Sequence, residues 1–442
     1  MENMKICEKL MAYALKAAGE GAHAEVILSE GTKKSVGVLG GKPQSYDSAS
    51  SRGISLTVFI GLKQASSSSE DFSDKALKIL AEETTEMARF TPENKDAFLA
   101  KPGQFITDVA ARAKALNLAD ESAKEFSVTD LQNMAYKLEN GALSVEGATK
   151  CSAVEVKTNT GYVHILTSEG FKASVPSTSY VVFLSVLAGE GDDQTSDGDV
   201  SVKRHFSDLP DLEKLGRETA QRAVKKVGAR PIKSGRMPIV FDKDIAPELL
   251  DMFAGAISGM AVDKGTTFLK DAMGEKVFSD AVTIVDDPTI PKALGSDPCD
   301  SDGIASTPLT LIENGKLKHW LLSLASAKRL GLEPNGRADG TTNLYMKPGN
   351  IGRDDLISGI KHGFLVTDMM GHSLNLTTGD FSRGAEGFLI EDGKITKPVS
   401  EVTIAGNLKD MFLNMTPADD LEMEMATNAP SVLVKEMMVA GV

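Results

Sequence analysis

Apolar residues near the start of the chain recur at Ile6, Leu10, Met11, Ala14 and Leu15, the spacing of one helix face. That helix is predicted to end near Gly19 and Gly21. Strand-like segments follow at 25–28 and 54–60, the second bounded by Gly53 and Gly61. A helix over 74–90 places Leu77, Leu80, Ala81 and Met87 together, and Ser73 before it can cap a free backbone N–H. The serine run 66–69 reads as a solvated loop ahead of that helix, with a binding loop as the functional alternative.

From about Met134 to Ala188 the pattern changes to strands separated by turns. Asn140-Gly141, Thr160-Gly161 and Glu169-Gly170 are the turn signals, Asn-Gly suiting a two-residue hairpin. Residues 189–199 read as an acidic loop with Asp192, Asp193, Asp197 and Asp199. Calcium binding there lacks the EF-hand spacing, which favours a solvated loop. An amphipathic helix over 212–227, with Leu212, Leu215, Ala223 and Val224 on one face, runs into the Gly- and Pro-containing segment 228–235. The main domain boundary is expected there.

The second half opens with a strand at 237–241 and a largely apolar helix over about 247–262, read as core before interface. Hairpin signals recur at Asn314-Gly315 and Asp392-Gly393, in related strings that begin at Leu311 and Leu389. With 138–141 they make three similar hairpins joined by no fixed period. Strands outnumber helices, and hairpins outnumber alternating strand–helix units. The expected class is α+β: two domains rich in antiparallel or mixed sheet with flanking helices. Residues 1–228 form the first, divisible near 115–130, and residues 236–442 form a β-rich second.

Composition narrows the partners. A chain of 442 residues is long enough for two or three domains. Lys and Arg number 48 against 62 Asp and Glu, a net charge of −14 that repels phosphate backbones and anionic lipid. Neither nucleic acid nor membrane is an expected partner. The longest apolar stretch, 180–188, falls far short of the roughly 20 residues of a membrane span. Glu8, Lys9 and Lys16 interrupt what would be a signal-peptide core. Cys7, Cys151 and Cys299 are odd in number and form no CxxC pair, which fits a reducing cytoplasm and reads as buried small hydrophobes rather than nucleophiles.

No complete catalytic motif appears. The histidines are His23, His164, His205, His319, His362 and His372, and no two stand three to five residues apart to offer zinc two imidazoles from one helical turn. His362 and His372 could meet only by folding. Residues 371–375 and 380–384 each miss one glycine of a serine nucleophile elbow. Gly40-Gly41-Lys42 lacks the rest of a phosphate loop. Residues 297–303 look superficially like a calcium loop, but Pro298 holds its second position and no glutamate its twelfth.

One stretch stands out, GHSLNLTTGDFSRGAEGF at 371–388. Gly371, His372, Asp380, Arg383 and Gly384 are its candidate substrate-binding residues. Glycine lets backbone approach a ligand, and Arg383 could grip a carboxylate. The plain alternative is a long hairpin loop in which Arg383 pairs with Asp380 or Glu386.

The stretch continues as LIEDGKI and then VTIAGNLKDMF at 402–412. FLKDAMGEKVFSD (268–280), VDDP (285–288), LGSDPCDSDG (294–303), SAKRLGL (326–332) and TTNLYMKPG (341–349) precede it in order. With SRGISLTVFIGLKQASSSSEDFS at 51–73, this ordered set resembles the TldD/PmbA family on its PmbA (TldE) side. The resemblance spans nearly the whole chain and is densest after 268. It implies a cytoplasmic zinc-dependent peptidase of two unlike subunits, processing peptide antibiotic precursors and unfolded polypeptides. An older description is modulator of DNA gyrase.

The resemblance puts zinc on a His-Glu-x-x-x-His helix of the TldD-type subunit, where the metal activates water. The equivalent helix here, read as 249–262, has neither histidine nor glutamate, Asp251 being its sole carboxylate. The implied protein is therefore the subunit without a zinc site of its own. It carries no metal and no catalytic residue, and zinc is expected on a TldD-like partner in a heterodimer. A homodimer stays open for the isolated chain. The 371–388 stretch would line a shared peptide chamber. Two other readings stay open: a self-sufficient hydrolase using ligands such as His362, His372 and a carboxylate, and a peptide- or toxin-binding modulator linked to DNA gyrase without cleavage.

Overall fold

Period-two burial runs through the long strands of the N-terminal half: Ala24, Val26 and Leu28, then Val182, Leu184 and Val186, are all fully buried. A computed structural model describes residues 2–442, the side chain of His372 excepted. The N-terminal half runs α1 (Glu2–Ala18), β1 (Ala22–Leu39), β2 (Lys42–Ile60), β3 (Lys63–Ser69), α2 (Asp74–Phe90) and α3 (Val109–Leu116). It continues with α4 (Val128–Leu143), β4 (Ala148–Thr167), β5 (Lys172–Ala188), β6 (Thr195–Lys203) and α5 (Leu212–Lys225).

The six strands form one antiparallel sheet in the order β3-β2-β1-β4-β5-β6. Helices α1 and α2 pack over Val26, Leu28, Leu56 and Val58. Helices α4 and α5 pack over Val36, Val38, Val156 and Val182. All the covered β1 positions are even-numbered, so both helix pairs lie on one face of one sheet. Ser73 caps α2 as expected, accepting from the Ala76 N–H.

Several expected loops are regular structure. Ser66–Ser69 belong to β3, paired with residues 54–57 of β2, and Ser67 bonds the buried Thr84 of α2. Thr160-Gly161 lies inside β4, with Gly161 opposite Gly31 of β1. Asp197 and Asp199 lie in β6 and face Arg222 at 3.1 and 2.7 Å, and Lys226 also meets Asp197 at 2.6 Å. Cations of the protein therefore take up Asp197 and Asp199 of the expected acidic loop.

Asn140-Gly141 is the clearest departure. It sits in the last turn of α4 rather than in a hairpin. A Cβ on Gly141 would lie 2.1 Å from the Glu213 carbonyl oxygen, and one on Gly216 would lie 2.1 Å from that of Leu138. The two glycines let α4 and α5 approach backbone to backbone. Close helix packing, not turn chemistry, accounts for Gly141.

The C-terminal half runs β7 (Gly235–Phe241), α6 (Pro247–Ala256), α7 (Gly259–Asp263), β8 (Ile284–Asp286), β9 (Leu309–Glu313), β10 (Lys316–Leu317), α8 (Leu324–Leu330), β11 (Leu344–Met346) and α9 (Arg353–Ser358). It ends with β12 (His362–Asn375), β13 (Asp380–Glu391), β14 (Lys394–Asn407), α10 (Leu408–Leu413), β15 (Met415–Pro417), β16 (Thr427–Asn428) and β17 (Val432–Ala440). A mixed sheet has the order β14-β13-β12-β7-β17-β15, and an extra β14–β17 pairing closes five strands into a ring. β7 lies parallel to β12 and antiparallel to β17. A smaller sheet, β10-β9-β8-β11-β16, packs beside it around Phe253, Phe278 and Phe412.

The class is α+β with antiparallel and mixed sheets, as expected. Asn314-Gly315 and Asp392-Gly393 do form hairpin turns, with Asn314 and Asp392 at positive φ. The apolar helix expected over 247–262 is broken at Ile257 and Ser258 into α6 and α7.

The halves meet along the other face of the first sheet. Phe171 packs with Cys299, and the Ile106 N–H bonds the Gly303 carbonyl at 3.0 Å. Arg204 donates to the carbonyls of Ala293 and Leu294 at 3.0 and 2.8 Å. In the 297–303 loop, Asp300 accepts the N–H groups of Asp302 and Ile304.

Candidate functional site

Helix α6 begins at Pro247, whose missing N–H costs nothing in the first helical turn. Leu249, Leu250, Met252, Phe253 and Ala256 are buried in the main core. Glu248, Asp251, Met252 and Gly255, at helical spacing, border a groove of about 560 Å³. The opposite wall is the β12–β13 hairpin, which contributes Met369, Gly371, Leu374, Leu376 and Arg383. Gly371 sits at a break in the β12–β13 register with φ +84°, a conformation that glycine adopts without strain. The hairpin turn is pinned by a bond from the Phe268 N–H to the Leu376 carbonyl at 2.9 Å.

Arg383 crosses the groove and donates from Nη1 to Glu248 Oε2 at 2.7 Å. This corrects the expected pairing with Asp380 or Glu386. Residues 371–388 are mostly strand, not loop, and strand residues three apart point to opposite faces. Asp380 instead closes the hairpin turn, accepting from Thr378 Oγ1 at 2.6 Å and Asn407 Nδ2 at 3.0 Å. Those bonds hold its carboxyl below the ordinary carboxylate value. Gly384 lies beside Met370, with ordinary contact distance for an added Cβ. The side chain of His372 lies outside the described residues.

Of the five sequence candidates, Gly371 and Arg383 line the groove. Glu248 lies just outside the 249–262 span read as the zinc-helix equivalent, in the first turn of α6. Pro247, a helix-start signal, marks the true first turn.

The charge balance of the groove is negative. Burial raises the Glu248 carboxyl above its ordinary value, Arg383 opposes that rise, and Asp368 and Asp251 add to it. Asp251 is likewise raised by its surroundings, against a hydrogen bond from Thr427 Oγ1 at 2.8 Å. Arg383 has a side chain only 9% exposed, and its Nε is buried without a hydrogen-bond partner among the described residues.

These donors do not fit a zinc ion. Against the His-Glu-x-x-x-His pattern, α6 reads Pro247-Glu248-x-x-x-Met252. Proline has no side-chain donor, the neutral methionine thioether is outside the thiolate, imidazole and carboxylate donors that hold zinc, and Glu248 is engaged by Arg383. Among the described residues no three His, Cys, Asp or Glu side chains converge as metal ligands. His362 and position 372 lie on one strand, which sets their backbones roughly 30 Å apart. The proposed pairing of these two histidines is thereby corrected. The three cysteines are buried and free, and burial pushes their thiols up to about 11 for Cys7 and about 12 for Cys151 and Cys299, away from nucleophile chemistry. No helix among the described residues is long and apolar enough to cross a membrane.

Comparison with known proteins agrees with this architecture. Family models for PmbA/TldA metallopeptidase domain 1, central domain and C-terminal domain match residues 24–88, 121–227 and 234–441. The chain is 32% identical to metalloprotease PmbA of Escherichia coli O157:H7, covering 99% of this chain and 96% of that one. It is 30% identical to a PmbA homologue of Haemophilus influenzae, covering 98% and 95%. A crystal structure described as a putative modulator of DNA gyrase from Bacteroides thetaiotaomicron superposes with TM-score 0.92 at 27% identity, covering 100% and 99%. TldE from Thermococcus kodakarensis shares the fold, with TM-score 0.85 at 21% identity over 99% of this chain and 100% of that one. The chain belongs to the PmbA/TldD metallopeptidase family.

Proposed function

We propose that this chain is the PmbA/TldE-like subunit of a cytoplasmic metallopeptidase that cleaves peptides and unfolded polypeptides, and that a TldD-like partner carries the zinc. The observation that carries the reading is on α6. The helix that faces the groove has Pro247 and Met252 where the pattern needs imidazoles, and Arg383 occupies its glutamate. Zinc in the partner would polarise the scissile carbonyl and activate water. This chain's part is to complete the peptide chamber, with the β12–β13 hairpin and α6 as one wall. Its negative charge supports a peptide rather than a nucleic acid as the ligand. Three buried free thiols fit a reducing compartment.

The test is to purify the chain alone and with its histidine-bearing paralogue from the same organism. Zinc content and cleavage of an unfolded peptide are then measured. The expected result is zinc and chelator-sensitive cleavage in the pair, with neither in the single chain. Stoichiometric zinc and cleavage in the single chain would overturn the reading, as would a pair that cleaves nothing.

A further inference from the structure

The groove beside α6 carries two carboxylates, one guanidinium and an apolar lining. Glu248 and Asp251 stand one turn apart on the helix, and each has one oxygen already bonded, to Arg383 and to Thr427. The second oxygen of each carboxylate is left for a donor. Arg383 is nine-tenths buried, and its Nε has no acceptor among the described residues. An unpaired buried donor is costly, and Arg383 lines the groove, so its guanidinium marks a place for an acceptor from outside the chain. Met252, Met369, Leu374 and Leu376 supply the apolar surface, and methionine adapts to side chains of varied shape. The volume of about 560 Å³ suits a few residues of extended chain.

We propose that this groove binds the amino end of a polypeptide. The terminal ammonium sits between Glu248 and Asp251, the first carbonyl accepts from Arg383, and the first apolar side chains lie against the methionines and leucines. Charge decides the direction. Two carboxylates face one guanidinium, with Asp368 adding negative charge nearby, so a carboxyl end would be repelled where an ammonium is held. The inference rests on the peptide-handling reading above, and adds that this subunit grips a free amino terminus.

The experiment is calorimetric titration of the full-length, unpartnered chain with a lysine-free apolar hexapeptide amide, in free-amine and N-acetylated forms. The free amine is expected to bind at least tenfold more tightly than the acetylated form. Asp251→Asn, at a solvent-accessible position, should abolish most of that difference. Arg383→Lys should weaken binding of both forms, with unfolding midpoints reported for each variant. Equal binding of the two forms would overturn the proposal. So would preference for a free carboxyl end, or for a lysine-containing acetylated peptide over the lysine-free amine. If no peptide binds while the pair still cleaves, this inference fails and the subunit reading stands. Amine-selective binding by a chain whose pair is inactive removes the subunit reading instead.

Discussion

Arg383 Nη1 donates to Glu248 Oε2 at 2.7 Å across 135 positions of sequence, tying strand β13 to the first turn of α6. Arg383→Ala leaves Glu248 half-buried without its counter-charge. Fully buried pairs cost 3–5 kcal/mol to break and exposed ones almost nothing, so a loss of roughly 1–2 kcal/mol is expected here. Glu248 is already raised by burial, and removing Arg383 raises it further. A raised carboxyl destabilises the fold once ionised, so the loss should grow as pH rises from 5 to 8. Urea unfolding at both pH values checks this, and Glu248→Gln beside Arg383→Ala should recover part of it. A loss independent of pH would mean that the pair carries no electrostatic weight.

Glu25 on β1 faces Asp302 of the C-terminal half. Burial, then the Asp302 charge, push the Glu25 carboxyl up to about 7 from an ordinary 4.5. The folded value lies above the unfolded one. Its stabilising contribution is therefore complete below about pH 4.5 and is lost as pH rises through about 7. Glu25→Gln keeps the shape and removes the titration. Relative to the parent, the variant should gain roughly 2 kcal/mol between pH 5 and pH 8, at ~1.4 kcal/mol per tenfold change in proton affinity. Equal pH profiles for the two proteins would show that Glu25 ionises as it does in water.

Local pattern made much of this legible. The α1 stripe, the Ser73 cap and the two Asn/Asp-Gly hairpins depend on neighbours in sequence, and the structure has all of them. Gly141 and Ser66–Ser69 were misread because their roles depend on distant partners, the α5 backbone and strand β2. The groove was half visible. Gly371 and Arg383 were legible as unusual composition, whereas the partner of Arg383 was not, since strand alternation turns it away from its acidic neighbours toward Glu248. Motif comparison located α6 but trimmed its first turn.

Arg337 and Asp286 form an ion pair with both side chains fully buried. Asp286 also accepts from the Thr342 N–H at 2.7 Å and Oγ1 at 2.9 Å, while Arg337 donates to the Asp286 carbonyl at 3.1 Å. The pair holds β8 to the loop before β11. Arg337→Met keeps much of the volume but strands the carboxylate, and should cost about 3–5 kcal/mol. Adding Asp286→Asn should recover a measurable part. The urea midpoints of the single and double variants report it, and a double variant no better than the single would place the loss in packing instead.

Gly141 and Gly216 set the distance between α4 and α5. An alanine at either position meets a backbone carbonyl oxygen at 2.1 Å, which no rotamer change relieves. The helices must move apart, loosening the cluster of Leu131, Leu138, Ala220 and Ala223 beneath them. Alanine gains about 1 kcal/mol of helix propensity over glycine, yet overpacking of this kind costs about 1–3 kcal/mol or more. A 2.1 Å contact with backbone lies at the upper end of that cost, so each single variant should be less stable by roughly 1–2 kcal/mol net. Both clashes are relieved by the same separation, so the double variant should lose less than the sum of the two. Urea unfolding of the three proteins decides it. Additive losses would mean that the two contacts are accommodated independently, and a stabilised single variant would mean that α4 and α5 can separate at little cost.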